Sequence, residues 1–338
     1  QANTLYDGSQ TITTDSISPG RYRLQAANRG QGVYTYDLRQ STDFTQAFDI
    51  ENNSRNWNNP TNSGKAGWSA HYAAEQTYDY FSQTWNRNSY NNAGGSLISY
   101  VAFDQNLGNA FWNGQAMIFG DGNGTTSRPF VSPDIVAHEF VHGVTDHTAG
   151  LLYTGESGAL NEMFSDVFGV LAESWMRQTP VEWVVGDELN NQGGLRSLVD
   201  PQRFNHPNTY QGLFWFTGQA DNGGVHINNG VGNHWFYLLT EGGSGVNDIG
   251  TFYRVSGIGV NKAAAIAYRT LSVYLTPTSN YTDARTYSIQ AAEDLYGSCS
   301  SEVRAVAEAW QAVGVGGAYA GTVQANFNIQ PQAVCDTP

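Results

Sequence analysis

The rhythm of apolar and polar positions changes part-way along the chain. Residues 1–60 are rich in Thr, Ser, Asn, Gly and Tyr, and short alternating pieces such as RYRLQA and GVYTYDLR predict antiparallel strands joined by turns. Residues 68–86 carry Ala70, Ala74, Thr77 and Phe81 at helical spacing. GSLISYVAF predicts a strand, and GNAFWNGQAMIFGDGNG a strand and turn. At Ser132 the character changes, because a Ser cap followed by Pro133 is a good helix start. Helical patterns then dominate, over about 133–149, 157–177, 231–241, 260–275, 281–296 and 301–313. The turns TEGGSG and VGVGG separate or end them. The expected class is α+β. A β-rich N-terminal domain (1–131) precedes a mainly helical one (132–316), and residues 317–338 form an extension.

Composition narrows the function. The 338 residues are 40% hydrophobic and only 14% charged, with a net charge of −14. Phosphate recognition needs clustered Lys and Arg, so a nucleic-acid partner is not expected. Part of the acidic excess could bind cations such as calcium. No apolar run approaches the length of a membrane span. The chain opens at Gln1 without a Met, as a mature chain whose leader is gone would. Two cysteines, Cys299 and Cys335, are too few for a zinc ribbon. One disulfide closing the tail is the preferred reading, and two unrelated free thiols the alternative.

The strongest chemical signal is DIVAHEFVHG. Residues four apart on a helix share a face one turn apart, so His138 and His142 could offer two imidazoles to one metal. Glu139 projects about 100° away from His138, near a metal without being forced to ligate it. That position suits a base acting on water. The plain alternative is a helix with two packed or solvated histidines. A third ligand should therefore exist nearby. The next segment, YTGESGALNEMFSDVFGVLAES, has an apolar stripe through Leu160, Met163, Phe164, Val167, Phe168 and Leu171. A short link favours antiparallel helices, which would bring Glu162 beside His142. His138, His142 and Glu162 then form a zinc set with an open fourth position. Asp166 can accept the spare ring N–H of one zinc histidine, and Asn161 can support the other.

The stretch VAHEFVHGVTDHTAGLLYTGESGALNEMFSDVFG resembles the thermolysin family of secreted zinc endopeptidases. So do AHYAAEQTYDYF, NAFWNG, GDG, LRSLVDP, DNGGVHIN and YLTPTSNY, in the family's order, over roughly residues 30–315. The resemblance implies two domains with the active-site cleft between them, crossed by the zinc helix. It implies one catalytic zinc on His138, His142 and Glu162, with Glu139 as general base and proton shuttle. His226 would stabilise the oxyanion, Asp221 would orient its ring, and Tyr153 would assist. Arg196 would hold a substrate carbonyl on the primed side, and Asn109 and Ala110 would pair with substrate backbone as an edge strand does. Phe130, Ile135, Val185 and Leu195 look like the family's apolar pocket wall, which implies a bulky hydrophobic residue just after the cut. The implied protein is secreted, extracellular and monomeric, and acts on peptides and proteins. Rival readings are an aminopeptidase with the same metal set and a non-catalytic zinc-binding or adhesive protein.

Helix geometry suggests a second cation site. Asp134 lies one turn before His138, and Glu173 eleven residues after Glu162, again on the same face. Antiparallel packing would bring the two carboxylates together, where they repel unless a cation sits between them. The loop TPVEWVVGDE adds Glu182, Val184 and Asp187. Oxygen ligands suit calcium, and similar proteins bind one ion or two at this place.

Overall fold

The computed structural model describes residues 1–58 and 62–319. Cys335, most of the 317–338 extension and the expected disulfide therefore lie outside the described residues. The chain forms two compact units. One is Gln1–His147 with Ser165–Arg196; the other is Thr148–Phe164 with the chain from Ser197 onward.

In the first unit the strands Ala110–Trp112, Met117–Phe119, Leu97–Val101, Val33–Asp37 and Gln25–Ala26 form a sheet in that order, and Phe48–Asp49 also pairs with Val33–Asp37. The segment RYRLQA divides. Arg21–Arg23 joins a separate three-stranded sheet, while Gln25–Ala26 joins the main one, with the buried Leu24 between them. Gln25–Ala26 pairs antiparallel with Val33–Asp37, whereas Val33–Asp37 pairs parallel with Leu97–Val101. Parallel neighbours need a crossover, and helix α1 (Asn62–Trp85) supplies it. Alternation sets the faces, with Val33 and Thr35 buried and Tyr34 and Tyr36 half-buried.

Helices α2 (Pro133–Asp146) and α3 (Gly155–Arg177) follow. Ser132 precedes α2 but makes no side-chain cap bond. Its hydroxyl donates instead to Asp134, which accepts the Ile135 N–H on the same oxygen. Phe81 of α1 packs on Phe140 of α2 and Phe168 of α3, with ring centroids 4.8 and 6.0 Å apart. Gly169 lets α2 and α3 approach closely. A Cβ there would lie 2.7 Å from the Asp134 carbonyl oxygen.

The second unit holds α4 (Ala220–Asn228), α5 (Gly230–Glu241), α6 (Val260–Arg269), α7 (Tyr281–Tyr296) and α8 (Ser301–Ala312). A π turn over Thr270–Tyr274 extends α6. Trp235 of α5 stacks on Trp310 of α8 at 4.5 Å, and the Trp310 indole N–H donates to Ser288 of α7. The strands Gly243–Val246 and Phe252–Val255 form an antiparallel hairpin where the sequence suggested only a glycine-rich separator. No helix among the described residues is long and apolar enough to cross a membrane.

Candidate metal centre

Helix α3 is buried around nearly its whole circumference from Ser157 to Glu173. Carboxylates inside such a helix require partners, because an isolated buried charge costs far more than one helix can offset. Glu162 and Asp166 are both 0% exposed, and their partners define the site.

Helices α2 and α3 run antiparallel. The Asp166 carboxylate lies 3.0 Å from His138 Nδ1, and the Ser165 hydroxyl lies 3.3 Å from His142 Nδ1. With both δ nitrogens engaged, the ε nitrogens of the two histidines face each other 3.0 Å apart. Glu162 is one turn before Asp166 on the same continuous helix, so the helix that anchors the histidines also delivers the third ligand. Ligand atoms of His138, His142 and Glu162 all lie within 4.8 Å of one another. Two imidazoles and a carboxylate at this spacing fit zinc. Glu139 is 4% exposed and sits in the chain directly after His138.

Asp166 is held further by Arg196, whose guanidinium donates to both its oxygens. Burial alone would raise the Asp166 carboxyl. Arg196 and His138 more than offset this and hold it well below the usual carboxylate range. Asn161 is buried, and its amide donates to the Leu151 carbonyl.

Over Glu162, in the second unit, lie Tyr153 and His226. The Tyr153 hydroxyl donates to Glu162 Oε1 and is 3.1 Å from His226 Nε2, which is itself 3.3 Å from Glu162. Asp221 takes the other side of the ring, with its Oδ1 2.6 Å from His226 Nδ1 and its Oδ2 accepting the His226 backbone N–H. A left-handed turn makes this possible. Asp221, Asn222, Gly223 and Gly224 all have positive φ, at 53, 49, 88 and 80°. A Cβ on Gly224 would meet Phe216 at 2.7 Å, so both conformation and space require glycine there. The side chain of His226 is 44% exposed and Tyr153 is 41% exposed, so both can meet a substrate.

The remaining expected residues lie in the first unit. Ala110 opens the edge strand of the main sheet, and exposed Asn109 precedes it. Phe130, Ile135 and Val185 are buried, while Leu195 is half-buried and its N–H donates to the Val185 carbonyl. Asp134 is buried, with Oδ2 accepting the Gly186 N–H. Glu173 is buried, Asp187 and Val184 half-buried, and Glu182 exposed. Burial first, and Asp134 next, raise the Glu173 carboxyl; burial and then Glu182 raise Asp187. Sequence reasoning missed Ser165, Arg177, Glu188 and Asp7. Ser165 is legible as the residue one turn after Glu162. Arg177 follows Glu173 by four residues, a spacing that places two side chains in contact.

Models of two thermolysin metallopeptidase domains match this chain, the catalytic domain over residues 1–146 and the α-helical domain over 149–315. A thermostable neutral protease of Geobacillus stearothermophilus is 42% identical over 323 residues, covering 92% of this chain and 56% of that protein. A thermolysin of Alicyclobacillus acidocaldarius subsp. acidocaldarius is 42% identical over 318 residues with the same coverage. The chain thus spans just over half the length of these curated relatives. Among solved structures, the precursor of protealysin, a metalloproteinase from Serratia proteamaculans, superposes with a TM-score of 0.70 at 32% identity, covering 84% of this chain and 87% of its own. With both domain models matched in order and a His, His, Glu group at the matching motif, the chain belongs to the thermolysin metallopeptidase family.

Proposed function

We propose that this chain is a zinc-dependent endopeptidase that cuts peptides and proteins before a bulky hydrophobic residue. The observation that carries this reading is the convergence of His138, His142 and Glu162 on one point, with the buried Glu139 directly after His138 in the chain. Zinc held by the three ligands would supply Lewis acidity to a water and to the scissile carbonyl. Glu139 accepts the water's proton and passes it to the leaving nitrogen. His226, braced by Asp221 at Nδ1, presents Nε2 to the oxyanion, and the Tyr153 hydroxyl donates beside it. Ala110 and Asn109 receive the peptide as an added strand on the open sheet edge. Arg196 steadies a primed-side carbonyl from its seat on Asp166, and Phe130, Ile135, Val185 and Leu195 line the hydrophobic pocket.

A full set of groups for peptide hydrolysis favours this reading over a zinc-binding adhesive protein. We further propose that the protein is secreted and acts as a monomer. A Cys299–Cys335 disulfide would suit an oxidising compartment. The same proposal gives calcium a place at Asp134, Glu173, Glu182, Val184 and Asp187. The test of function is digestion of a peptide library by the zinc-loaded chain, with cut sites read by mass spectrometry. Internal cuts before Leu, Phe or Ile that vanish on zinc removal are expected. Release of single N-terminal residues alone would point to an aminopeptidase, and no cutting would leave a binding protein.

A further inference from the structure

Arg177 closes helix α3, and each of its three guanidinium nitrogens faces a different carboxylate. Nε donates to Asp7 Oδ1 at 2.7 Å. Nη2 donates to both oxygens of Glu188, at 2.8 and 2.9 Å. Nη1 lies 3.0 Å from Glu173 Oε1. These are not surface ion pairs, since the side chains of Asp7 and Glu173 are 4% and 2% exposed. Asp134, behind Glu173, already accepts from Ser132, Ile135 and Gly186.

Two calcium ions do not fit this arrangement. Calcium needs six to eight oxygens at about 2.3–2.6 Å. A second ion beside the first would have to share Glu173 or Glu188 with a guanidinium already within hydrogen-bond distance. Two cations would then sit side by side in a buried setting, where repulsion is weakly screened. We infer that Arg177 is the built-in cation of this carboxylate cluster, standing in the place of one divalent ion. With Arg177 in place, the cluster takes at most one calcium. Arg177 also fastens the N-terminal segment at Asp7 to the end of α3 and to the 178–190 loop, which a solvent-exchanging ion would do only while bound. Arginine suits this task because its planar fork serves several carboxylates at once and does not deprotonate.

The inference does not depend on catalysis and is tested without it. Calcium bound per chain is counted by equilibrium dialysis with elemental analysis, and Tm is followed with and without calcium. The parent, Arg177→Met and Arg177→Lys are compared, all in a Glu139→Ala background that prevents self-cleavage. The parent should bind no more than one calcium per chain at this cluster. Arg177→Met should lose several degrees of Tm in calcium-free buffer, bind one more ion than the parent and recover most of the loss in calcium. Arg177→Lys should keep the parent's calcium count. Two ions bound to the cluster in the parent would overturn the inference, and that count stands even if Arg177→Met does not fold. A Tm loss in Arg177→Met that calcium leaves unchanged, with no added ion, would overturn it equally.

Discussion

Arg196 donates to both oxygens of Asp166, Nε to Oδ2 at 2.7 Å and Nη2 to Oδ1 at 2.6 Å. The pair is buried, and the same carboxylate reaches the metal-side histidine His138. Arg196 is therefore coupled to the metal centre through one intermediate residue. Removing the charge on Asp166 should weaken zinc binding about 10–100-fold in Asp166→Asn, as loss of an outer-shell carboxylate typically does. Competition with a chromogenic chelator measures this. Unchanged zinc affinity would separate Asp166 from the metal site.

Glu139→Ala should retain zinc and lose activity by at least about 10²–10⁴-fold, the usual contribution of a positioned general base. Zinc content by elemental analysis and kcat on an internally quenched peptide check both halves. Activity near the parent's would remove Glu139 from the proposed mechanism.

His226 should act only when charge develops. His226→Ala is expected to lower kcat about 10²–10³-fold with little change in KM, as for loss of one oxyanion donor. Asp221→Asn should reproduce part of that loss in kcat, because Asp221 holds the ring through Nδ1. An effect confined to KM would assign these residues to substrate binding instead.

His71 predicts how stability depends on pH. Its ring is wholly buried in the first unit, between the Thr35 hydroxyl at 2.9 Å and the Thr13 carbonyl at 3.0 Å. Burial pushes its pKa down from 6.5 to about 4, against the hydrogen bond to Thr13. The unfolded chain therefore binds the proton more tightly than the folded one. Stability is full above pH 6.5 and falls as pH drops from 6.5 towards 4, by about 3 kcal/mol for this residue. Urea unfolding of the Glu139→Ala protein across this range should show the loss. A His71→Gln variant should be less stable at pH 7 yet flatter with pH, and an unaltered slope would exclude His71 as the source.

The unfolded, unreduced chain should contain no titratable thiol if Cys299 pairs with Cys335. Closing a loop of about 36 residues would stabilise by about 3–4 kcal/mol in the chain-entropy model. Two thiols per chain would rule the bond out.

Much of the metal centre was legible because helical periodicity acts locally. His138 and His142 are one turn apart in any helix, and Glu162 and Asp166 likewise, so one antiparallel contact brings the two pairs together. Helices α2, α3, α7 and α8 were legible within a few residues for the same reason. The hairpin at 243–255 was not, because its first strand is half glycine and shows no buried position, and its second, Phe252–Val255, is only four residues long and buries Val255 alone. The parallel pairing of Val33–Asp37 with Leu97–Val101 was also hidden, since alternation tells which face is buried and not which neighbour is paired.

The sequence by itself determined the ligand types and their helical spacing. Only the tertiary structure decided which charges meet. Arg177 joins Asp7 across 170 residues and Glu188 across 11, and Arg196 joins Asp166 across 30. No periodicity records such partnerships. They are selected because buried carboxylates must find a cation once packing has removed water, and packing is a property of the folded chain.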